Sequence, residues 1–431
     1  LFGRGAAGGV INQVSKSPYI GTGGDFAVGV GTQGFKRITA DVNYAFNDDI
    51  AVRLNAMGEN ADSRRKIAET QKWGIAPSIA FGSSGNTQFE LAYKYDVENN
   101  RPDLGVPYVT TGDKQKIAPV AAVDQFFGYN TDFEDIKRSA LTAKFDHKFT
   151  DNISINNTLR YSKSDYDLMV YAPRILRGQD NGDNSIVGRA LNGMKTTKYD
   201  ANTLTNHTDF NAKFDTGGLK HDVLVNLELT REKRNNGIAN LRFWDRDGSA
   251  ASANPYGFNH GAPKEHYHFS RDVNHSSTLT TRTVGVGVSD IVEISPQFKA
   301  IAGVRFNHIK TENSPTNGSG SQARTDNLWT YNGSRIWDWI QGHNAPLTSS
   351  TTVTTSANPV SGQSDSLDPS QLVAAPEKTR TIELGSKNAF FDDALTVNAA
   401  LFHTKKTQQY YRDAGFIDDV KVYGLDVEVA G

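Results

Sequence analysis

Cysteine is absent from the 431 residues, and methionine occurs only three times. Without thiols there is no disulfide framework and no thiolate metal site. No run approaches the 18 or so consecutive apolar residues that a transmembrane helix needs, so helical membrane spans are excluded. That leaves strands, since a barrel strand needs only about 9 to 11 residues with every second one apolar. A charge of one sign is missing too: 46 Lys and Arg stand against 48 Asp and Glu, so no net field favours nucleic acid. Leu, Ile and Val are thin for a soluble helical core, whereas Gly (39), Asn, Asp, Ser and Thr are abundant. The sequence begins at Leu1 with neither Met nor a leader, and we expect that Leu1 is not the native start.

What is present is alternation with a period of two. From Arg37 to Phe46, Ile38, Ala40, Val42, Tyr44 and Phe46 share one face and Arg37, Thr39, Asp41 and Asn43 the other. The pattern returns in Gln88–Asp96, Asn152–Tyr161 and Lys220–Leu229, and near the C-terminus in Leu395–Leu401 and Leu425–Val429. It predicts about fourteen strands, near 24–32, 37–46, 50–59, 71–81, 86–96, 138–148, 152–164, 203–215, 219–233, 278–290, 297–310, 378–388, 394–405 and 420–431. Tight Asn-, Asp-, Gly- or Pro-rich links such as 47–49, 82–85, 149–151 and 216–218 alternate with long connections such as 97–137, 165–202, 234–277 and 311–377. A barrel with short periplasmic turns and long extracellular loops has this rhythm. A soluble sandwich or propeller alternates as well, but neither collects its long loops at one end, and no blade repeat is present. Aromatics near strand ends (Tyr44, Phe46, Tyr93, Tyr95, Phe149, Tyr161) fit an interfacial girdle. The expected facing has Val42, Leu91, Ile155, Val225, Val397 and Val427 toward lipid, and Asp41, Glu90, Asn156, Asn226, Asn398 and Glu428 toward the lumen.

The stretch LFGRGAAGGVINQVSKSP (Leu1 to Pro18) resembles the end of the plug domain of TonB-dependent receptors, with Gly3, Arg4, Gly5, Gly8, Gly9 and Asn12 among the matching positions. Pro376–Thr407 and VYGLDVEVAG (Val422–Gly431) resemble barrel segments of the same family. The resemblance implies an all-β fold: an antiparallel up-and-down transmembrane barrel, part of a 22-stranded plugged barrel. It divides the chain into residues 1–18, the plug's end, and residues 19–431, a partial barrel with long extracellular loops. It also implies TonB-dependent import of ferric siderophores across the bacterial outer membrane, driven by the TonB–ExbB–ExbD complex, whose contact segment maps onto no residue here. The chain would then be no enzyme and hold no resident cofactor, its iron arriving as cargo. Asn100–Val109 and Asp124–Asp135 look like the third outer loop of catecholate-type receptors, with Arg101 as cationic ligand contact and Tyr108, Phe126, Phe127 and Tyr129 as stacking contacts. The alternatives are a receptor for another nutrient (cobalamin, heme, an oligosaccharide) and a non-transporting β-rich adhesin.

Other motifs carry less. Gly29–Gly34 fits G-x-G-x-x-G, but a period-2 strand follows where the dinucleotide fingerprint needs a helix. His260, His266, His268 and His275 cluster in one long connection, yet a siderophore already saturates its iron, so hydrogen-bonded loop histidines are the expectation and no metal site is assigned. Trp244, Trp329, Trp337 and Trp339 fall in the two longest connections, where a ligand vestibule or loop packing would account for them.

Overall fold

Alternating β-branched and polar residues pair into strands wherever their register matches. The computed structural model describes residues 13–65, 67–105, 131–171, 194–245, 267–340, 347–358, 374–391, 394–407 and 419–431, short pieces at 108–111, 116–119, 174–175, 187–188, 409–411 and 415–417, and residues 126, 128 and 372. Sixteen strands form one sheet: β1 (Gly23–Val30), β2 (Lys36–Ala45), β3 (Ile50–Asp62), β4 (Glu69–Phe81), β5 (Thr87–Arg101), β6 (Phe133–Thr150), β7 (Ile153–Tyr171), β8 (Met194–Thr216), β9 (Leu219–Asp245), β10 (Tyr267–Ser295), β11 (Phe298–Pro315), β12 (Gln322–Ile340), β13 (Leu347–Asn358), β14 (Glu377–Phe390), β15 (Leu395–Thr407) and β16 (Val420–Ala430). Each pairs antiparallel with its sequence neighbour, in unbroken order. Among the described residues β1 pairs only with β2 and β16 only with β15, so the sheet is open.

Among the described residues the main sheet therefore has sixteen strands, not the fourteen or so expected. The two additional strands, β12 and β13, lie in the connection 311–377 that had been read as loop. In β13, LTSSTTVTTSAN has the composition of a loop, but its Thr and Val are β-branched and suit a pleated surface. In β12, Leu328 is buried while its neighbour Trp329 is 65% exposed, so apolar residues on both faces mask the period of two. Trp329, Trp337 and Trp339 therefore stand on β12 rather than in a loop vestibule. Trp329 packs beside Phe306 and Trp337 beside Phe298, on the outward face.

Facing follows from register, because directly paired residues lie on the same side. Ile155, Phe210, Val225, Val288, Val304 and Tyr331 form one continuous row across β7 to β12. Val42, Leu91, Val397 and Val427 share that side, as expected, and their alternate neighbours share the other. The burial is inverted relative to a soluble protein: Val42 and Val427 are exposed, whereas Asp41, Asn43, Asn226, Arg305 and Asn307 are buried. Hydrocarbon would cover the first group, and the concave inner face holds the second.

Strand length and tilt set the heights. The β8–β9 turn is Gly217–Gly218, both at positive φ (59° and 87°), which a two-residue hairpin of the I′ kind requires and which a Cβ disfavours. From that turn β9 presents Val223, Val225, Leu227 and Leu229 outward and reaches Arg231 after about a dozen residues, roughly 30 Å along the normal at a 40° tilt. Arg231 pairs with Leu204 and Arg282, and Arg282 with Lys310. In the opposite direction the same row runs through Leu204, Tyr161, Leu141 and Tyr93, the last only a few residues above the start of β5. The row thus climbs from the apolar band to its upper border, as tilted strands demand. Above that border β8, β9 and β10, with 23, 27 and 29 residues, continue far beyond any membrane.

Candidate functional site

The inner face carries the chemistry, in three tiers. At the lowest, Asp25 and Asp41 sit directly opposite each other on β1 and β2, a like-charge pair that needs cations. Arg53 of β3 supplies one, donating from Nε and Nη2 to Asp41 at 2.8 and 2.7 Å, and Lys16 Nζ binds the same carboxylate. Arg53 Nη1 also donates to the Ser17 carbonyl at 2.8 Å, and Lys144 Nζ, paired with Glu90, reaches Ser17 Oγ at 3.2 Å. Asn43 Nδ2 donates to the carbonyls of Tyr19 and Gly21 at 2.8 and 2.7 Å, and its Oδ1 accepts from Tyr19 N at 3.1 Å. Residues 16–21 are thereby laid along the inner face by side chains from β2, β3 and β6. A cleft of about 450 Å³ lies beside them, lined in part by Lys16, Asp41, Met57, Lys94, Asp96 and Arg138.

The middle tier centres on Arg305 of β11, only 3% exposed. Its Nε donates to Asn307 Oδ1 at 3.0 Å, Nη1 to Asn226 Oδ1, and Nη2 to Glu228 Oε2 at 2.6 Å. To reach β9 the guanidinium must cross β10, and it does so over Gly285 and Gly287. A Cβ on Gly285 would fall 2.8 Å from Asn307 Oδ1 and closer still to Arg305 Nη2.

The upper tier stands above the membrane border. Tyr166 of β7 and Tyr199 of β8 are directly paired and stacked, with ring centroids 5.1 Å apart and planes 16° from parallel. Arg234 of β9 lies over the Tyr199 ring at 3.9 Å, close cation–π contact. Tyr166 Oη donates to Glu134 Oε1 at 2.9 Å, and Asn100 Nδ2 donates to Glu134 Oε2 at 3.1 Å. Burial, helped by the neighbouring Glu134 carboxylate, pushes the Tyr166 phenol well above its ordinary range, so it stays a neutral donor. Aromatic faces backed by a guanidinium suit a flat, anionic, aromatic ligand.

Arg101 lies at the extracellular end of β5. Its Nη1 pairs with Glu69 at 3.0 Å and donates to the Ile67 carbonyl at 3.0 Å, and its register puts it in the series of Trp73 and Val97, which faces outward. Phe126 is buried. Tyr108 belongs to a short strand, 108–111, paired with 116–119, but its side chain lies outside the described residues, as do Phe127 and Tyr129 altogether. Gly3, Arg4, Gly5, Gly8, Gly9 and Asn12 also lie outside them. Of the four clustered histidines, His268 and His275 lie on β10; His275 hydrogen-bonds the Ser277 carbonyl at 2.9 Å, whereas the His268 side chain lies outside the described residues, as do His260 and His266 altogether. Tyr166, Tyr199 and Arg234 were missed, because 165–202 and 234–277 were read as loop. The available signal was parity, since Tyr166 continues the inward series that begins at Asn156.

Residues 73–431 match the family described as TonB dependent receptor-like, beta-barrel. Among curated relatives, the catecholate siderophore receptor Fiu of Escherichia coli (strain K12) is 29% identical over all of this chain and 61% of its own length. A probable TonB-dependent siderophore receptor, PiuA of Acinetobacter baumannii, is 30% identical over 94% of this chain and 57% of its own. The chain thus spans about three-fifths of the length of these relatives. The crystal structure of PiuA superposes with a TM-score of 0.84 at 27% identity, covering 99% of this chain and 64% of that one. That of Fiu in its closed form gives 0.81 at 26%, covering 99% and 65%.

Proposed function

This chain belongs to the TonB-dependent receptor family, whose barrels sit in the outer membrane and whose members are transport receptors rather than enzymes, and from that premise we propose that it binds a ferric siderophore of the catecholate type for import. The Arg234–Tyr199–Tyr166 stack on the inner wall carries the reading. A ferric catecholate is anionic and presents flat aromatic rings, so a guanidinium and two ring faces match it in charge and shape. Relatives named as catecholate siderophore receptors support the same ligand class. Iron arrives as cargo, already saturated with oxygen ligands, and the protein requires no resident cofactor. Arg101, at the extracellular end of β5, and the loop residues Tyr108, Phe126, Phe127 and Tyr129 are the further contacts we propose at the vestibule rim.

Residues 1–18 serve as the end of a plug, and residues 19–431 as barrel wall. The contacts of Lys16 and Ser17 with Asp41, Arg53 and Lys144 support that division, since they hold the segment against the inner face. Movement of the plug would be coupled to the TonB–ExbB–ExbD complex. The test is growth of a receptor-deleted, siderophore-deficient strain that carries the full-length gene, supplied with defined ferric complexes. Growth on ferric catecholates, lost in the Tyr199→Ala and Arg234→Ala variants, is expected. Growth restored by cobalamin, heme or an oligosaccharide, with none on any ferric siderophore, refutes it.

A further inference from the structure

The outward face of β10, β11 and β12 breaks its apolar pattern in the periplasmic half of the membrane. Asp290 follows Val288 on that face of β10, and Arg335 stands on the same face of β12, between Gly333 and Trp337. A charged side chain that faces lipid is costly, and such groups in membrane proteins pair with one another. Asp290 has one partner, His221 Nδ1 at 2.7 Å, and its other oxygen, tucked against the sheet, has none among the described residues. Arg335 makes no hydrogen bond or ion pair among the described residues.

Register relates the two. Asp290 is opposite Ala302 and Ala302 opposite Gly333; one outward row lower, Val292, Ala300 and Arg335 are opposite one another. Asp290 and Arg335 are therefore two strands apart, about 10 Å, and one row apart, about 7 Å. Crossing two strands toward β12 climbs, dropping one row descends, and at a tilt of about 40° the two steps nearly cancel. The acid and the base thus stand at one height to within about 2 Å, and about 12 Å apart around the wall. Between them the outward face holds Ala300, Ala302, Gly333 and Val292. A Cβ on Gly333 would meet nothing within 4 Å, so the strip is open.

An acid and a base at equal height, flanking a strip of small residues, are self-complementary under a two-fold axis along the membrane normal. With that axis at Ala300 and Ala302, Arg335 of each copy faces the partner's Asp290, and both pairs form together. Sheets stack face to face at about 10 Å, a gap that an arginine and an aspartate side chain span between them. No hydrophobic force draws two barrels together in hydrocarbon, so close packing of small residues and pairing of polar groups must do it. We infer that this strip is the contact between two copies of the receptor in the outer membrane, closed by two reciprocal Arg335–Asp290 pairs. The inference rests on the barrel's place in the outer membrane and is independent of the siderophore.

The test uses the full-length receptor, labelled in separate batches with donor and acceptor dyes and reconstituted together into phosphatidylcholine vesicles. Association is read by energy transfer as the lipid-to-protein ratio rises, and folding by heat-dependent gel mobility. Arg335→Asp and Asp290→Arg, each alone, set like charges against each other twice per dimer and are expected to weaken association about tenfold or more. Mixed in equal amounts, the two variants should regain it, because each copy then offers the charge that the other lacks. Gly333→Phe, which fills the open strip, is expected to abolish transfer at unchanged gel mobility, and it decides the matter if a charge variant fails to fold. Wild-type receptor that stays monomeric, folded variants that associate as the wild type does, or no rescue in the mixture overturns the proposal. A lipid or another membrane protein held at the strip by a single copy, and lost in Arg335→Asp, overturns the commitment to a second copy.

Discussion

Gly285 offers the sharpest test of how the inner wall is built. If the glycine exists so that Arg305 can cross β10, then Gly285→Ala must push the guanidinium away from Asn226, Glu228 and Asn307, because the new Cβ occupies its path. Breaking a buried ion pair costs about 3–5 kcal/mol when one partner is removed. Here the Arg tail can turn and keep part of its bonding, so the loss is nearer 2–4 kcal/mol, and alanine returns about 0.5–1 kcal/mol over glycine in a strand. The net expectation is destabilisation by about 1–3.5 kcal/mol in urea unfolding of the full-length receptor, followed by tryptophan fluorescence and gel mobility. In an Arg305→Ala background only Asn307 Oδ1, 2.8 Å from the new Cβ, is left to give way, and the same Gly285→Ala change should cost clearly less, about 0–1 kcal/mol. Gly287→Ala should cost less, since its Cβ would stand 3.2 Å from Asn226 Oδ1 and 3.6 Å from the Arg305 side chain. An equal Gly285→Ala penalty in both backgrounds refutes the argument, because the glycine would then serve its own backbone and not Arg305.

Three other perturbations follow from facing and charge. Leu227→Arg puts a charge in the outward apolar band and should cost about 2–4 kcal/mol of refolding free energy in lipid, whereas a near-zero cost would place Leu227 away from hydrocarbon. Arg101→Glu sets two carboxylates side by side with Glu69 and reverses a vestibule charge. It should weaken uptake of an anionic ferric complex while changing stability by only about 0–1 kcal/mol, and unchanged affinity removes Arg101 from the site. For Tyr166 the folded phenol titrates above its ordinary value of 10.0, so its contribution to stability is complete below that pH and is lost as pH rises beyond it. Stability scans should therefore show an alkaline decline that Tyr166→Phe diminishes, and identical profiles for the two proteins would dismiss the shift.

The barrel architecture was legible because hydrocarbon on one side and a polar lumen on the other impose a strict period of two on Val42/Asp41, Leu91/Glu90 and Val225/Asn226. Reading failed where that contrast fades. Above the membrane border both faces meet water, so the upper halves of β7, β8 and β9 carry polar residues on each side and passed for loops, taking Tyr166, Tyr199 and Arg234 with them. In β12 apolar Leu328 faces inward beside outward Trp329, and its partner β13 is mostly Ser and Thr. The candidate site was less legible still, because its residues come from different strands. Arg234 reaches Tyr199 only through a register that pairs Ala201 with Arg234, and nothing local to either segment announces that pairing. The pairing of Arg101 with Glu69 was hidden in the same way, since Glu69 becomes its neighbour only when β4 and β5 pair.

Strand β9 shows why the register leaves little freedom. Val225, Leu227 and Leu229 face the hydrocarbon and Asn226, Glu228 and Thr230 the lumen. Then, within the same alternation, Arg231 and Lys233 face outward at the headgroup level and Arg234 turns inward onto Tyr199. One backbone thus serves three surroundings, and each needs its own residue type at its own height. A slip of one residue would turn Asn226 and Glu228 toward lipid, Glu228 at less than the about 2–4 kcal/mol of an Arg or Lys at the midplane, and would bring Val225 and Leu227 to face Arg305 without a hydrogen-bond acceptor. It would also turn Arg231 inward and Arg234 outward, dissolving the outward row of Arg231, Arg282 and Lys310 and the aromatic stack together. The Gly217–Gly218 turn prevents this at the lower end, since a two-residue loop with both central residues at positive φ fixes Thr216 opposite Leu219 and hence every pair above. Up to the bulge at Asn236/Gly237 no irregularity interrupts the β9 register. The ligand-facing wall and that outward row are therefore set by the same short turn, on the far side of the membrane from both.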